Sequence, residues 1–222
     1  MTAEAPCALV TGGTGRVGGA VAKQLEQEGY RVLAAGRKDG DVSRPDQARA
    51  LVERCVAEHG RLDVLVNAAA NGFAPRDVEE LTEDDWDSAF GAVAKGSFFV
   101  TQAAAPHLRR SDVGLVVMIE DVASFQPWAS FAAHCAAKAA QAMLTRVLAK
   151  ALAPEIRVCG IAPGTVATAA ELEEKRAGET VLGRIGTPQD VADAVVYLLD
   201  ARFVTGSTIF VDGGRLIASP KR

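Results

Sequence analysis

The segment VTGGTGRVGGAVAKQLEQEGYRVLAAGR, residues 10–37, restricts the possible folds of this chain more than any other. An apolar run ends in a glycine-rich turn, the turn opens an amphipathic stretch, and a second apolar run follows. Read as strand, turn, helix and strand, this begins a parallel βαβ arrangement. Glycines at such a junction let the backbone approach a pyrophosphate, and the N–H groups of the helix start face its negative charge. The alternation continues to the end of the chain. Strand-like runs at 7–12, 31–36, 62–68, 114–119, 156–162 and 207–211 are separated by helix candidates at 16–28, 45–59, 83–109, 131–152 and 188–199. Strands that are apolar throughout predict a parallel sheet covered on both faces. One connection is too short. Only RKDGDVSRPD (37–46) lies between the second strand and the next helix. Either a third strand survives as a stub around Gly40–Val42, or the sheet is one strand short. The expected fold class is α/β, a single doubly wound domain over residues 1–222, shortened around the third strand.

With 222 residues, 49% of them hydrophobic, the chain can bury one sizeable core. The formal net charge of -4 argues against nucleic acid or an anionic membrane as main partner. No apolar run reaches membrane-spanning length, and the start MTAEAP lacks a basic-then-apolar leader pattern, so a cytoplasmic protein is expected. The four cysteines form no C-x-x-C pair and no cluster with the histidines, so no metal site is expected. Cys7 and Cys159 sit in apolar runs and read as buried thiols. Cys135 follows His134 but has no activating neighbour visible in the sequence.

Charge at the end of the second strand bears on the cofactor. A ribose 2′-hydroxyl favours a carboxylate there, whereas a 2′-phosphate favours an arginine, whose planar fork matches phosphate oxygens. This chain has Arg37 at that position and Arg16 within the turn, which predicts NADP(H) over NAD(H).

On TGGTGRVG (11–18), DVLVNAA (63–69), the helix carrying Lys138, IAPGTVAT (161–168) and FVTGSTIFVDGGR (203–215), the chain resembles the short-chain dehydrogenase/reductase family over nearly its whole length. The resemblance implies a doubly wound Rossmann sheet, a small-molecule substrate, and assembly as a homotetramer or dimer through the helices at 83–109 and 131–152. The second of these is rich in alanine (132, 133, 136, 137, 139, 140), which allows close approach of helices. In the glycine turn, Gly12, Thr14, Arg16, Val17 and Gly18 fall on the cofactor motif. Asn67, Ala68 and Ala69 follow a strand end, as do Pro163, Gly164 and Thr168, where ligands bind in such sheets. Arg37 and Lys138 complete the expected cofactor contacts, and Asp41 and Val42 resemble the pair that borders the adenine. A closer likeness is to the pteridine reductases. They carry arginine where Arg16 stands and aspartate thirteen positions before the active-site tyrosine, here Asp121, and the stretch 182–215 is similar to theirs.

The tyrosine itself is missing. Four residues before Lys138 in SFAAHCAAKAA (130–140) stands His134, and the position of the family's water-holding asparagine falls on Val93. Tyr30 and Tyr197 lie elsewhere in the pattern. Matched residue by residue, the expected catalytic set is Asp121, His134 and Lys138. Histidine is a competent general acid near neutral pH, but imidazole is shorter than phenol. His134 is therefore either the proton donor, through a shifted substrate or a bridging water, or a side chain that fills the tyrosine's space. Three functions follow: a reductase of carbonyl or imine (pteridine-like) compounds, a non-redox enzyme on the same fold, or a protein that binds and senses NADP(H). Trp128 reads as pocket wall or core, and 171–176 as a charged helix.

Overall fold

The computed structural model describes residues 5–166 and 176–218. Six strands, β1 (Cys7–Thr11), β2 (Arg31–Ala35), β3 (Val64–Asn67), β4 (Leu115–Ile119), β5 (Arg157–Pro163) and β6 (Thr208–Val211), form one parallel sheet in the order β2-β1-β3-β4-β5-β6. Helices α2 (Pro45–His59), α4 (Gly96–Leu108) and α5 (Ala132–Leu152) cover one face; α1 (Arg16–Gln27) and α6 (Pro188–Asp200) cover the other. The period of two along β1 sorts the core. Cys7 and Leu9 point to the first face, Ala8 and Val10 to the second, and all four are inaccessible to water. Cys159 on β5 is likewise buried. Among the described residues no helix is long and apolar enough to cross a membrane, and no cluster of potential metal ligands occurs.

The short connection after β2 resolves to a missing strand. Residues 36–44 turn back on themselves: Asp39 Oδ2 accepts from the Gly36 N–H at 2.8 Å, and the Asp41 N–H donates to Gln47 Oε1 at 2.7 Å. With these backbone groups satisfied locally, Gly40–Val42 forms no strand, and Val42 instead packs into the core beside Ala48 and Leu51. The sheet therefore ends at β2.

The long helix expected over 83–109 is a composite. A capping box at Thr82 starts α3 (Glu83–Phe90), where the Thr82 side chain accepts from the Asp85 N–H and the Asp85 carboxylate accepts from that of Thr82. A π-helical turn over Gly91–Lys95 then joins α3 to α4. Such turns re-aim side chains and occur at functional sites. Here the turn carries the buried Val93.

Chain direction reverses its winding at β1, which pairs with β2 on one side and β3 on the other. In open parallel sheets the crevice above the strand C-termini at this switch is where ligands bind. Two glycines make the crevice possible. Gly12 has φ +67° with the Ala68 carbonyl where its Cβ would be, and a Cβ on Gly18 would collide with the Gly12 carbonyl oxygen. A side chain at either position would push the turn off the sheet.

Candidate functional site

The crevice has two parts. The first is a cleft walled by the glycine turn (Gly12, Thr14, Gly15), the end of β2 with the loop beyond it (Arg37, Asp41, Val42), and the loop after β3 (Ala68 to Asn71). Helix α1 begins at this wall with Gly15 as its N-cap and no side-chain cap, so its first-turn N–H groups remain for an anion. Val17 and Gly18 lie within that first turn. Arg16 opens α1 from the same turn. The cleft thus fits a dinucleotide: a glycine cradle, an open helix start, an apolar floor at Val42, Leu51 and Ala92, and Arg37 at its rim.

Asn67 ends β3 below the cleft. Its Nδ2 donates to Thr101 Oγ1 at 3.0 Å, and its Oδ1 is buried with no protein partner. Thr11 Oγ1 accepts from the Ala68 N–H at 3.2 Å and lies 3.4 Å from that of Ala69, fixing the loop beyond. Pro163 closes β5, and the Gly164 N–H donates to the Val211 carbonyl at 3.0 Å. A Cβ on Gly164 would meet Asp212, so this turn too tolerates little else. Thr168 and most of 171–176 lie outside the described residues.

The second part brings the three expected catalytic residues together where β4 ends and α5 begins. His134 is in the first turn of α5, and its Nε2 lies 3.2 Å from Asp121 Oδ2. The other carboxylate oxygen of Asp121 accepts from the Ala123 N–H at 2.8 Å, which fixes its orientation. Lys138, one turn further, is buried; its Nζ donates to the Ile119 carbonyl at 2.7 Å and to Gln141 Oε1 at 3.1 Å. That uses two of its three donors. Burial pulls the Lys138 pKa down to about 8, against the opposing pull of Asp121 and then Glu120. Tyr30 precedes β2 and Tyr197 stands exposed on α6, which packs on the other face of the sheet.

Several contributors were not foreseen. Phe73 stacks on the His134 ring at 3.9 Å between centroids and meets Phe131 edge-on at 5.6 Å. His134 is consequently only 6% exposed. Trp128 lies parallel to the same ring at 6.3 Å, with the Arg215 guanidinium 5.1 Å from its own centroid. It is part-buried beside His134. Gln141 Nε2 donates onward to Ser97 Oγ at 2.8 Å. Gln141 and Ser97 carried a signal, being polar at core-facing positions of helices, Gln141 three residues from Lys138. Phe73 carried none, since it sits in an irregular loop. Glu120, adjacent to Asp121, is buried with its carboxylate accepting from Thr145 at 2.6 Å and Thr208 at 3.0 Å; desolvation raises its pKa above the usual carboxylate range.

The depressed lysine makes a testable statement. A lysine whose folded pKa lies near 8 and whose unfolded value is near 10.5 leaves the unfolded chain binding the extra proton between those limits. Stability of the cofactor-free protein should then rise with pH across that window. Relative to Lys138→Met, which lacks the titration, wild type is expected to gain about 2 kcal/mol between pH 8 and 9.5. Denaturant titrations of both proteins at those pH values measure it; a constant difference would show that Lys138 is not desolvated.

The comparisons fit this geometry. Residues 38–215 match the family model described as enoyl-(acyl carrier protein) reductase. A granaticin polyketide synthase putative ketoacyl reductase from Streptomyces violaceoruber is 37% identical, covering 95% of this chain and 96% of that protein. The chain belongs to the short-chain dehydrogenase/reductase family. Other members similar to it include a 3-oxoacyl-[acyl-carrier-protein] reductase from Thermotoga maritima, 32% identical over 98% of this chain and 100% of that one. The ligand-free aldohexose dehydrogenase of Thermoplasma acidophilum superposes with a TM-score of 0.91 at 28% identity, covering 99% of this chain and 97% of that structure. As a member of this family the chain is an oxidoreductase with a nicotinamide cofactor and a small-molecule substrate.

Proposed function

We propose that this family member is an NADP(H)-dependent reductase of a carbonyl or imine substrate, working through Asp121, His134 and Lys138. The observation that carries the reading is the contact of His134 Nε2 with Asp121, one helical turn from Lys138 and beside a dinucleotide-shaped cleft. Bound NADPH would supply the hydride. His134 would hand a proton to the substrate oxygen or nitrogen as the hydride arrives, and Asp121 would orient the ring and stabilise its protonated form. Lys138, fixed by Ile119 and Gln141, would use its remaining donor toward the nicotinamide ribose. Phe73 covers one face of the His134 ring, so a substrate approaching from that side must move it aside.

The relatives, a ketoacyl reductase among them, favour a ketone. A pteridine-like imine is supported by Arg16, Asp121 and the stretch 182–215, where the chain resembles the pteridine reductases. The shielding of His134 by Phe73 also favours a second reading, a protein that binds NADP(H) or performs a non-redox reaction without reducing carbonyls. NADPH oxidation followed against a panel of ketones and dihydropteridines, beside a binding titration, separates these. Slow oxidation of some panel member supports the reductase; tight NADPH binding with no oxidation supports the second reading, and no NADPH binding sinks both.

For assembly we expect a cytoplasmic homotetramer or dimer built on α4 and α5. Helix α5 leaves Met143 53% and Val147 52% exposed among its alanines, an apolar strip that a second copy would cover. Light scattering at micromolar concentration should show the oligomer, and Met143→Glu with Val147→Glu should return a monomer. A monomeric wild type would refute it.

A further inference from the structure

We propose that Asn71 is a positioning residue for cofactor recognition, which holds Arg37 as a roof over the adenosine end of the cleft; this rests on the NADP(H) reading above. Arg37 leaves the end of β2, and Asn71 stands in the loop after β3, so the two belong to opposite walls. Arg37 Nη2 donates to Asn71 Oδ1 and closes the space between them. Val42, Leu51 and Ala92 line the same cleft, an apolar surface suited to a flat aromatic base.

The direction of the Asn71 amide is determined by chemistry on both sides. Its Nδ2 is 2.7 Å from the Ser88 carbonyl oxygen and 2.7 Å from Ser88 Oγ. A carbonyl only accepts, so the NH2 must face Ser88 in α3. A guanidinium only donates, so the oxygen must face Arg37. The chain α3–Ser88–Asn71–Arg37 therefore fixes the guanidinium through an acceptor that is itself anchored to a helix. Arg37 has five donors, and Asn71 takes one. The rest remain for a ribose 2′-phosphate, which only NADP(H) carries. Holding a long, exposed side chain in one place before the ligand arrives removes part of the ordering loss on binding.

Because Asn71 acts through Arg37, its effect must vanish when Arg37 is gone. Four proteins test this: wild type, Asn71→Ala, Arg37→Ala and the double variant, each titrated with NADPH and NADH. Asn71→Ala is expected to weaken NADPH about tenfold, a net loss of about one hydrogen bond to a charged group, and to leave NADH nearly unchanged. In the Arg37→Ala background the same substitution should have no further effect. Unchanged NADH binding also reports that the variant is folded. If Arg37→Ala discriminates between the cofactors but Asn71→Ala does not, the positioning role is overturned and the cofactor reading stands. If Asn71→Ala weakens both cofactors equally, or weakens NADPH as much without Arg37 as with it, Asn71 acts on its own and the inference falls. If Arg37→Ala itself weakens both cofactors alike, the cofactor reading fails and takes this inference with it.

Discussion

Arg37→Ala is expected to weaken NADPH binding about 100-fold while NADH binding stays nearly unchanged. Two charge-assisted hydrogen bonds to a 2′-phosphate at about 1.5 kcal/mol each give a factor of that size. The rim of the cleft explains why the loss should be selective. Asp39, the carboxylate nearest the end of β2, is turned away: it accepts from the Gly36 N–H at 2.8 Å and from Arg54 Nη1 at 3.0 Å, and these donors hold its pKa below the usual carboxylate range. It is therefore committed to the turn and to α2; Asp41, which also lines the cleft, accepts from the Ser43 N–H, and Arg37 is the cation of this wall. Parallel titrations of wild type and variant with both cofactors decide the matter. An equal loss for NADPH and NADH would mean that Arg37 contacts a shared part of the cofactor, and a loss of neither would leave the 2′-phosphate without its partner in this cleft.

What could be read from the sequence divides along physical lines. Elements set by local chemistry were legible: the apolar runs became strands with ends within two residues of those expected, and Thr187-Pro188 did start α6 with a capping box to Asp190. Spacing along one helix was equally legible, since four residues separate His134 from Lys138 and one turn does stack them on a common side of α5. The gap at 37–46 posed two outcomes that only tertiary packing could decide, because Val42 prefers the core to a sheet edge. The π turn at Gly91–Lys95 has no sequence mark of its own; a helical pattern hides one extra residue per turn easily. Contacts between loops were out of reach. Phe73 meets His134 across 61 positions of sequence, and Asn71 meets Arg37 across 34. Neither pairing follows from a propensity or a period, since both depend on which strand ends the fold sets side by side.

His134→Tyr is expected to raise the rate of carbonyl reduction, by about a hundredfold or more where the wild type is slow. A well-placed general acid is worth roughly a hundredfold to ten-thousandfold, and the imidazole of His134 is badly placed for a substrate in the usual position. It is shorter than a phenol, bonded to Asp121 at 3.2 Å, and covered by Phe73 at 3.9 Å. Of a phenol's surroundings Lys138 is retained, while the water-holding asparagine is replaced by the buried Val93. Lys138 is held one turn on by Ile119 and Gln141 and is pulled down to about 8, which keeps it poised to exchange a proton near neutral pH. A tyrosine at 134 would extend past the histidine's reach toward the cleft, and its larger ring would press on Phe73, so Phe73→Ala should enhance the gain. If His134 is instead the working acid, His134→Ala should abolish turnover, and the ionisation it contributes to the pH–rate profile should disappear with it. Brisk reduction that survives His134→Ala would remove His134 from the chemistry. Loss of a native reaction in His134→Tyr, with no gain in carbonyl reduction, would point to chemistry built around the imidazole, for which the Asp121–His134 pair, shielded by Phe73 from bulk water, is already arranged.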